Sequence, residues 1–206
     1  MPQEEAPFLS HVGLYVTDVA KMTDFCTGVL GFVVSDAAED GQVTFLSRNP
    51  SDHHQVVLVR GRTTAAAVPM VLQVSFNVGT LANVQRAFRK VREAGCKVID
   101  PRCHGNAWSV YFSDPEDNRI EMFCDTPRYV LQPLGFAIDL NKSEDELYRE
   151  TEVRTADEIW VTSSTKEVLA ITTLDGKPVG SGKPGMLFRR MHALYQEFKR
   201  DVMRAK

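Results

Sequence analysis

Glu121 stands inside the run Arg119-Ile120-Glu121-Met122-Phe123. Residues two apart share one face of a strand, so a carboxylate occupies a position where a core strand would take an apolar side chain. His11 opens a second run, His11-Val12-Gly13-Leu14-Tyr15-Val16. Imidazole and carboxylate are donors that together hold a divalent metal ion of intermediate hardness. His53-His54 and Cys103-His104 are two further places where chemistry could reside, because an imidazole titrates near neutral pH and can exchange protons with a substrate. Each has a plain alternative. Glu121 could pair with Arg119 on a sheet surface, His11 could be an exposed strand start, and His53 and His54 could lie in a solvated turn. Cys103 has no partner pattern for nucleophilic catalysis and reads as a buried or incidental thiol.

The elements that must position these residues follow from periodicity. After the strand at His11 to Val16, Thr17-Asp18 suits a helix start, apolar residues recur at Val19, Met22, Phe25 and Val29, and Gly31 is a stop signal. Strand-like runs follow at Phe32 to Val34, Val43 to Ser47 and Gln55 to Val59, separated by turn residues. The order βαβββ then begins again. A strand at Gln73 to Val78 precedes a helix with apolar Leu81, Val84, Phe88 and Val91, closed by Gly95, and strands follow around Lys97 to Ile99, Ser109 to Phe112 and Arg119 to Phe123.

The halves align as a duplication. His11 to Val16 sits over Gln73 to Val78, Phe45-Leu46-Ser47 over Tyr111-Phe112-Ser113, and Pro50 over Pro115. Carried forward, that alignment places His54 over Arg119 and Val56 over Glu121. The expected fold is α+β: two paired βαβββ modules, about 9–60 and 71–125 within a domain spanning 7–127, forming a cup-shaped mixed sheet. His11 and Glu121 fall on outer strands of opposite repeats, so the two can face each other across the cup.

Residues 128–206 read as a C-terminal extension. Tyr129 to Leu140 looks extended, Ser143-Glu144-Asp145-Glu146 is a capping box that opens a short helix, and Val168 to Val179 resembles a hairpin turning at Asp175-Gly176. Leu187, Met191, Leu194, Tyr195, Phe198 and Val202 form the apolar stripe of a final amphipathic helix, a face for packing on its own domain or on a second subunit.

Composition excludes several classes. A net charge of -3 from 24 basic and 27 acidic residues, mixed along the chain, gives no footprint for nucleic acid or anionic membrane. Apolar runs are too short to cross a bilayer, and a hydrophobic share of 43% is ordinary for a buried core. Four widely spaced cysteines without a C-x-x-C pair or a signal-peptide pattern point to a reducing cytoplasm. No phosphate loop, dinucleotide fingerprint or serine elbow is present, since Gly180-Ser181-Gly182-Lys183 lacks the spacing.

The spans Leu9 to Phe32 and His104 to Phe123 resemble the vicinal-oxygen-chelate superfamily, which groups glyoxalases, bleomycin resistance proteins and dioxygenases. The most specific part is His104-Gly105 followed by Tyr111-Phe112-Ser113-Asp114-Pro115-Glu116-Asp117-Asn118-Arg119-Ile120-Glu121-Met122-Phe123, similar to the signature of extradiol ring-cleavage dioxygenases. The likeness covers roughly residues 7 to 140, and Tyr129 to Leu140 with Ser143 to Glu152 resemble the tail of those enzymes. It implies a metal held at His11, Gln73 and Glu121, with glutamine where the branch has its second histidine. Fe(II) is the implied ion, with Mn(II) or another divalent metal as the alternative.

The same likeness places His54 as an acid/base residue on the last strand of the first repeat, with Tyr111 and His104 lining the substrate pocket. Val56 departs from the four-ligand glyoxalase pattern, whereas Gln73 leans toward it. The expected activity is therefore metal-dependent cleavage of a catechol-type aromatic with O2. The alternatives are a glyoxalase-type lyase or isomerase and a binding protein with a decayed metal site. A homodimer is the expected assembly, with no nucleic-acid or membrane partner.

Overall fold

A computed structural model describes residues 9–63, 71–163 and 167–203. The chain divides into two compact units, Met1–Pro127 with Gly135–Asn141, and Arg128–Leu134 with Lys142–Lys206.

The first unit carries the duplicated βαβββ pattern. Repeat one comprises β1 (Val12–Val16), α1 (Val19–Phe25) with a π-helical turn over Cys26–Leu30, β2 (Val33–Ala37), β3 (Val43–Ser47) and β4 (Val56–Arg60). Repeat two comprises β5 (Val74–Asn77), α2 (Leu81–Glu93), β6 (Lys97–Cys103), β7 (Ala107–Ser113) and β8 (Arg119–Asp125), and β9 (Phe136–Ala137) adds to its edge. The sheets are β1-β4-β3-β2 and β5-β8-β7-β6-β9, with β1–β4 and β5–β8 parallel and the other pairs antiparallel.

Local chemistry accounts for the helix ends. Asp18 caps α1 by accepting from the Lys21 backbone N–H at 3.0 Å, and Thr80 does the same for α2 from Asn83 at 3.2 Å. Gly31 and Gly95 follow the helices at φ 77° and 69°, the left-handed conformation in which only glycine meets no Cβ penalty. The core lies between helices and sheets: Val16, Met22, Leu46 and Leu58 in repeat one, and Val84, Val91, Trp108, Val110 and Phe112 in repeat two, are all nearly or fully buried.

The repeats also hold each other directly. Phe32 meets Phe76 edge to face at 5.4 Å between centroids, and the Glu116 carboxylate accepts from the Thr17 N–H (2.8 Å), the Thr17 hydroxyl (2.6 Å) and the Asp18 N–H (3.1 Å). Arg62 donates to the Glu116 carbonyl at 3.2 Å and to the Asn118 side chain at 2.9 Å. The β7–β8 turn that presents Glu116 is organised by buried Asp114, which accepts from the Glu116 and Asn118 N–H groups at 2.8 Å each and from the Asn118 amide at 2.7 Å. Asp117 takes φ 63° within it.

Strand pairing corrects the alignment of the two repeats. Phe45 pairs with Val57 and Tyr111 pairs with Glu121, while Val12 pairs with Val56 and Val74 with Ile120. Val57, not Val56, is therefore the counterpart of Glu121; Val56 points into the core at 3% exposure. The β3–β4 connection is longer than β7–β8 by two residues, taken up in a turn where the Asn49 side chain bonds Asp52 (2.9 Å) and the Ser51 N–H (3.1 Å). His54 lies in that connection ahead of β4, not on the strand and not opposite Arg119. Glu121 likewise lies on an inner strand, between β5 and β7, and not on an outer one.

The second unit contains α3 (Glu144–Arg154), β10 (Ile159–Ser163), β11 (Glu167–Ile171), β12 (Thr173–Leu174), β13 (Lys177–Pro178) and α4 (Met186–Phe198), which continues as a π-helical turn over Lys199–Met203. The capping box forms as expected, with the Ser143 and Glu146 side chains exchanging hydrogen bonds with each other's backbone N–H. The expected long hairpin is only two residues deep on each side of Asp175-Gly176, both at positive φ, because β11 pairs with β10 instead. None of the residues of α4 is buried. No helix among the described residues is long and apolar enough to cross a membrane.

Candidate functional site

Alternation along the strands of repeat two sends two sets of side chains to opposite faces. Trp108, Val110, Phe112, Ile120 and Met122 are buried, and α2 packs against β7 and β8. The opposite face carries Gln73, Ser75, Ser109, Tyr111, Arg119 and Glu121. Glu121 is 7% exposed, a burial that a carboxylate tolerates only with hydrogen-bond donors around it. It has them: the Ser109 hydroxyl donates to Oε1 at 2.7 Å, and the Ser75 hydroxyl and Gln73 amide donate to Oε2 at 2.5 and 2.9 Å. Glu121 does not pair with Arg119, whose guanidinium stacks over the Tyr111 ring at 4.3 Å.

Tyr111 stands directly across the ladder from Glu121. Burial, a hydrogen bond with Glu121 and its negative charge push the Tyr111 phenol up to about 12, against the opposing effects of Ser109 and Arg119. The phenol is therefore neutral across the physiological range and able to donate a hydrogen bond. His104, in the β6–β7 connection, places Nε2 3.0 Å from the Tyr111 hydroxyl. Tyr111, His104 and Glu121 thus form a connected polar cluster on one sheet face.

Repeat one gathers the other imidazoles. His11 is exposed just ahead of β1, as Gln73 stands just ahead of β5, and its ring contacts that of His54 at 4.4 Å. His53 and His54 bring their Nδ1 atoms to 2.9 Å, and both rings pack edge-on to Phe45. Desolvation, then the charges of His11 and His53, lower the His54 pKa below its ordinary 6.5. A base that must be neutral to work gives a rate that climbs with pH until its proton is lost. We expect the acid limb of kcat/KM to lie at lower pH than an ordinary imidazole would place it. His54→Asn should remove that acid limb, and a limb unchanged in the variant would sink the assignment.

The structure thus joins Gln73 to Glu121 and Tyr111 to His104, and places His11 against His54. No group of three or more His, Cys, Asp or Glu side chains suited to a metal ion occurs among the described residues. By donor type the residues suit a divalent ion, with a carboxylate and an amide in repeat two and imidazoles in repeat one. Gln73 now turns its NH2 toward Glu121, and an amide serves as a ligand through its oxygen, so coordination requires the amide to flip. Ser75 and Ser109 were not singled out in the sequence. The signal available was alternation, since both fall on the Glu121 face of neighbouring strands. Cys103 is fully buried, with its sulfur accepting from the Gly105 N–H at 3.3 Å.

A domain from Frankia sp. described as a glyoxylase/bleomycin resistance protein/dioxygenase is 19% identical, covering 59% of this chain and 100% of its own, with a TM-score of 0.50. A genomically encoded fosfomycin resistance protein from Listeria monocytogenes is 18% identical over 59% of this chain and 96% of its own (TM-score 0.48). A lactoylglutathione lyase from Agrobacterium tumefaciens is 17% identical over 58% and 95% (TM-score 0.47). Among curated proteins, a D-alanine aminotransferase from Bacillus licheniformis is 38% identical over 53 residues, 26% of this chain and 19% of that enzyme. The chain thus spans about a fifth of that relative's length. The family model for glyoxalases, bleomycin resistance proteins and dioxygenases matches residues 8–122, which take in both βαβββ repeats as far as the middle of β8 and every residue of the Glu121 and His11 clusters. With more than half of its length matched, the chain belongs to the Glyoxalase/Bleomycin resistance protein/Dioxygenase superfamily.

Proposed function

We propose that this chain is a divalent-metal enzyme acting on a small substrate that presents two adjacent oxygens, and that it cleaves a catechol-type aromatic ring with O2. The observation that carries this reading is the Glu121 cluster: a buried carboxylate held by Gln73, Ser75 and Ser109, with the neutral Tyr111 phenol and His104 beside it. His11, Gln73 and Glu121 would hold the ion, Fe(II) first and Mn(II) or another divalent metal second. When bound, such an ion supplies positive charge for the two substrate oxygens and a redox partner for O2. Tyr111 donates a hydrogen bond to a substrate oxygen, His104 fixes the phenol's direction, and His54 takes up a proton as the catechol binds. The chain would work as a homodimer in the cytoplasm, with exposed Leu187, Met191, Leu194 and Phe198 offering an apolar face for self-association.

Anaerobic loading with Fe(II), followed by catechols and air, tests this. One O2 should be consumed per catechol, with a visible ring-fission product; metal-loaded protein that takes up no oxygen across a substrate panel would refute ring cleavage. A glyoxalase-type lyase or isomerase is the second reading, favoured by the Gln73 amide against Glu121, and it turns over without oxygen uptake. Gln73→His separates the two: gained oxygenase activity supports the dioxygenase reading, whereas loss of an existing oxygen-independent activity supports the lyase.

A further inference from the structure

Met122 lies next to Glu121 in sequence but on the other face of β8, so its surroundings are separate from the Glu121 cluster. It lines a cleft of about 300 Å³ between the π-helical turn after α1 and the helix α2. The apolar lining includes Leu30, Ala87 and Met122, each buried. Its charged lining is all positive, Arg48, Arg86 and Lys90, and no carboxylate lines it. None of these three cations takes part in any ion pair formed among the described residues.

That arrangement leaves like charges unrelieved by any acidic neighbour in the lining. Arg86 and Lys90 are four apart on α2, so two like charges face the same opening, a spacing that disfavours the helix. Acidic residues would relieve it, yet the one acidic residue of α2, Glu93, is not part of the lining. The guanidinium of Arg86 is also oriented. It donates to the Asn83 side-chain oxygen, while the Asn83 amide nitrogen is anchored on the Val78 carbonyl at 2.6 Å. Arg48 reaches the cleft from the end of β3, where its backbone N–H donates to the Gln55 side chain at 3.0 Å. Three cations from two repeats thus converge over an apolar floor, the chemistry of a site for an oxyanion with a short hydrophobic body.

We propose that this cleft binds a small organic oxyanion, with its anionic group between Arg48, Arg86 and Lys90 and its apolar part on Leu30, Ala87 and Met122. The site is separate from the metal-binding reading of Glu121 and stands or falls independently of it. A phosphate monoester and a carboxylate share this chemistry, and the probes distinguish them.

Calorimetric titration of the full chain with phenyl phosphate, phenylacetate and inorganic phosphate is the test. One of the two aromatic anions should bind at least tenfold more tightly than inorganic phosphate, and which of them does so identifies the anion class. Added salt should weaken that binding, because the cations are solvent-exposed. R86Q and K90Q should each weaken it several-fold and together at least tenfold, with metal affinity unchanged. The single variants keep the result independent of how well the double variant folds. No binding of either aromatic anion, or binding unchanged in R86Q and K90Q, would overturn the proposal. So would displacement of phenyl phosphate by single-stranded RNA bound through the same residues, which would make this face of α2 a nucleic-acid surface.

Discussion

Glu121→Gln is expected to lower kcat/KM at least ~100-fold and to reduce the metal carried by the purified protein. Partners one layer outside a metal's ligands are already worth roughly 10–100-fold in affinity or activity, and Glu121 is proposed as a ligand itself. The substitution keeps the shape and removes the charge. It also converts one end of the group into a donor, although Gln73, Ser75 and Ser109 all donate toward it. The Ser109 hydroxyl can turn to accept from the new NH2, so the cluster should persist and the loss reports on the missing charge. A third readout is spectroscopic. The Tyr111 phenol, held up to about 12 partly by Glu121, should ionise at lower pH in the variant. Elemental analysis, steady-state kinetics and ultraviolet titration would check the three effects. A variant with the wild-type metal content and turnover would remove Glu121 from the site.

The largest stability effect is expected at Trp108→Ala, about 3–5 kcal/mol, because the indole is among the most completely buried large side chains and its removal leaves a cavity under α2. That loss compares with a total stability of roughly 5–15 kcal/mol for a typical domain, so the variant should unfold at far lower denaturant. Leu169→Ala, at an exposed position (44%), should change stability by no more than about 0.5 kcal/mol and serves as the control. Equal effects at the two positions would contradict the packing of β7 against α2.

Much of this was legible in the sequence, for identifiable reasons. Helical spacing at Leu81, Val84, Phe88 and Val91 and the stop at Gly95 locate α2 closely, because propensity, periodicity and capping agree there. Glu121 stands out because a carboxylate interrupts the otherwise apolar run from Ile120 to Phe123. The alignment of β4 failed by one residue because a turn can absorb residues without leaving a mark on strand periodicity, and only the hydrogen-bond ladder reveals how many. For the same reason the sequence pattern draws His54 onto the strand, although β4 begins at Val56. The hydroxyls of Ser75 and Ser109 were invisible as ligands of Glu121, since their role depends on which strand lies beside which. The cationic cleft had no sequence signal at all: Arg48 and Lys90 belong to different repeats, and only folding brings them together.

The turn at Asp114 to Asn118 has a consequence for how this protein can change. A slip of β8 by one residue against β7 would exchange its faces, sending Glu121 into the hydrocarbon beneath α2 and Met122 out among the serines. Buried Asp114, accepting from both Glu116 and Asn118, fixes the count of residues in that turn and so prevents the exchange. The residues around Glu121 can vary to suit a new substrate, but an inserted or deleted residue between Asp114 and Asn118 would cost the carboxylate and the core at one stroke.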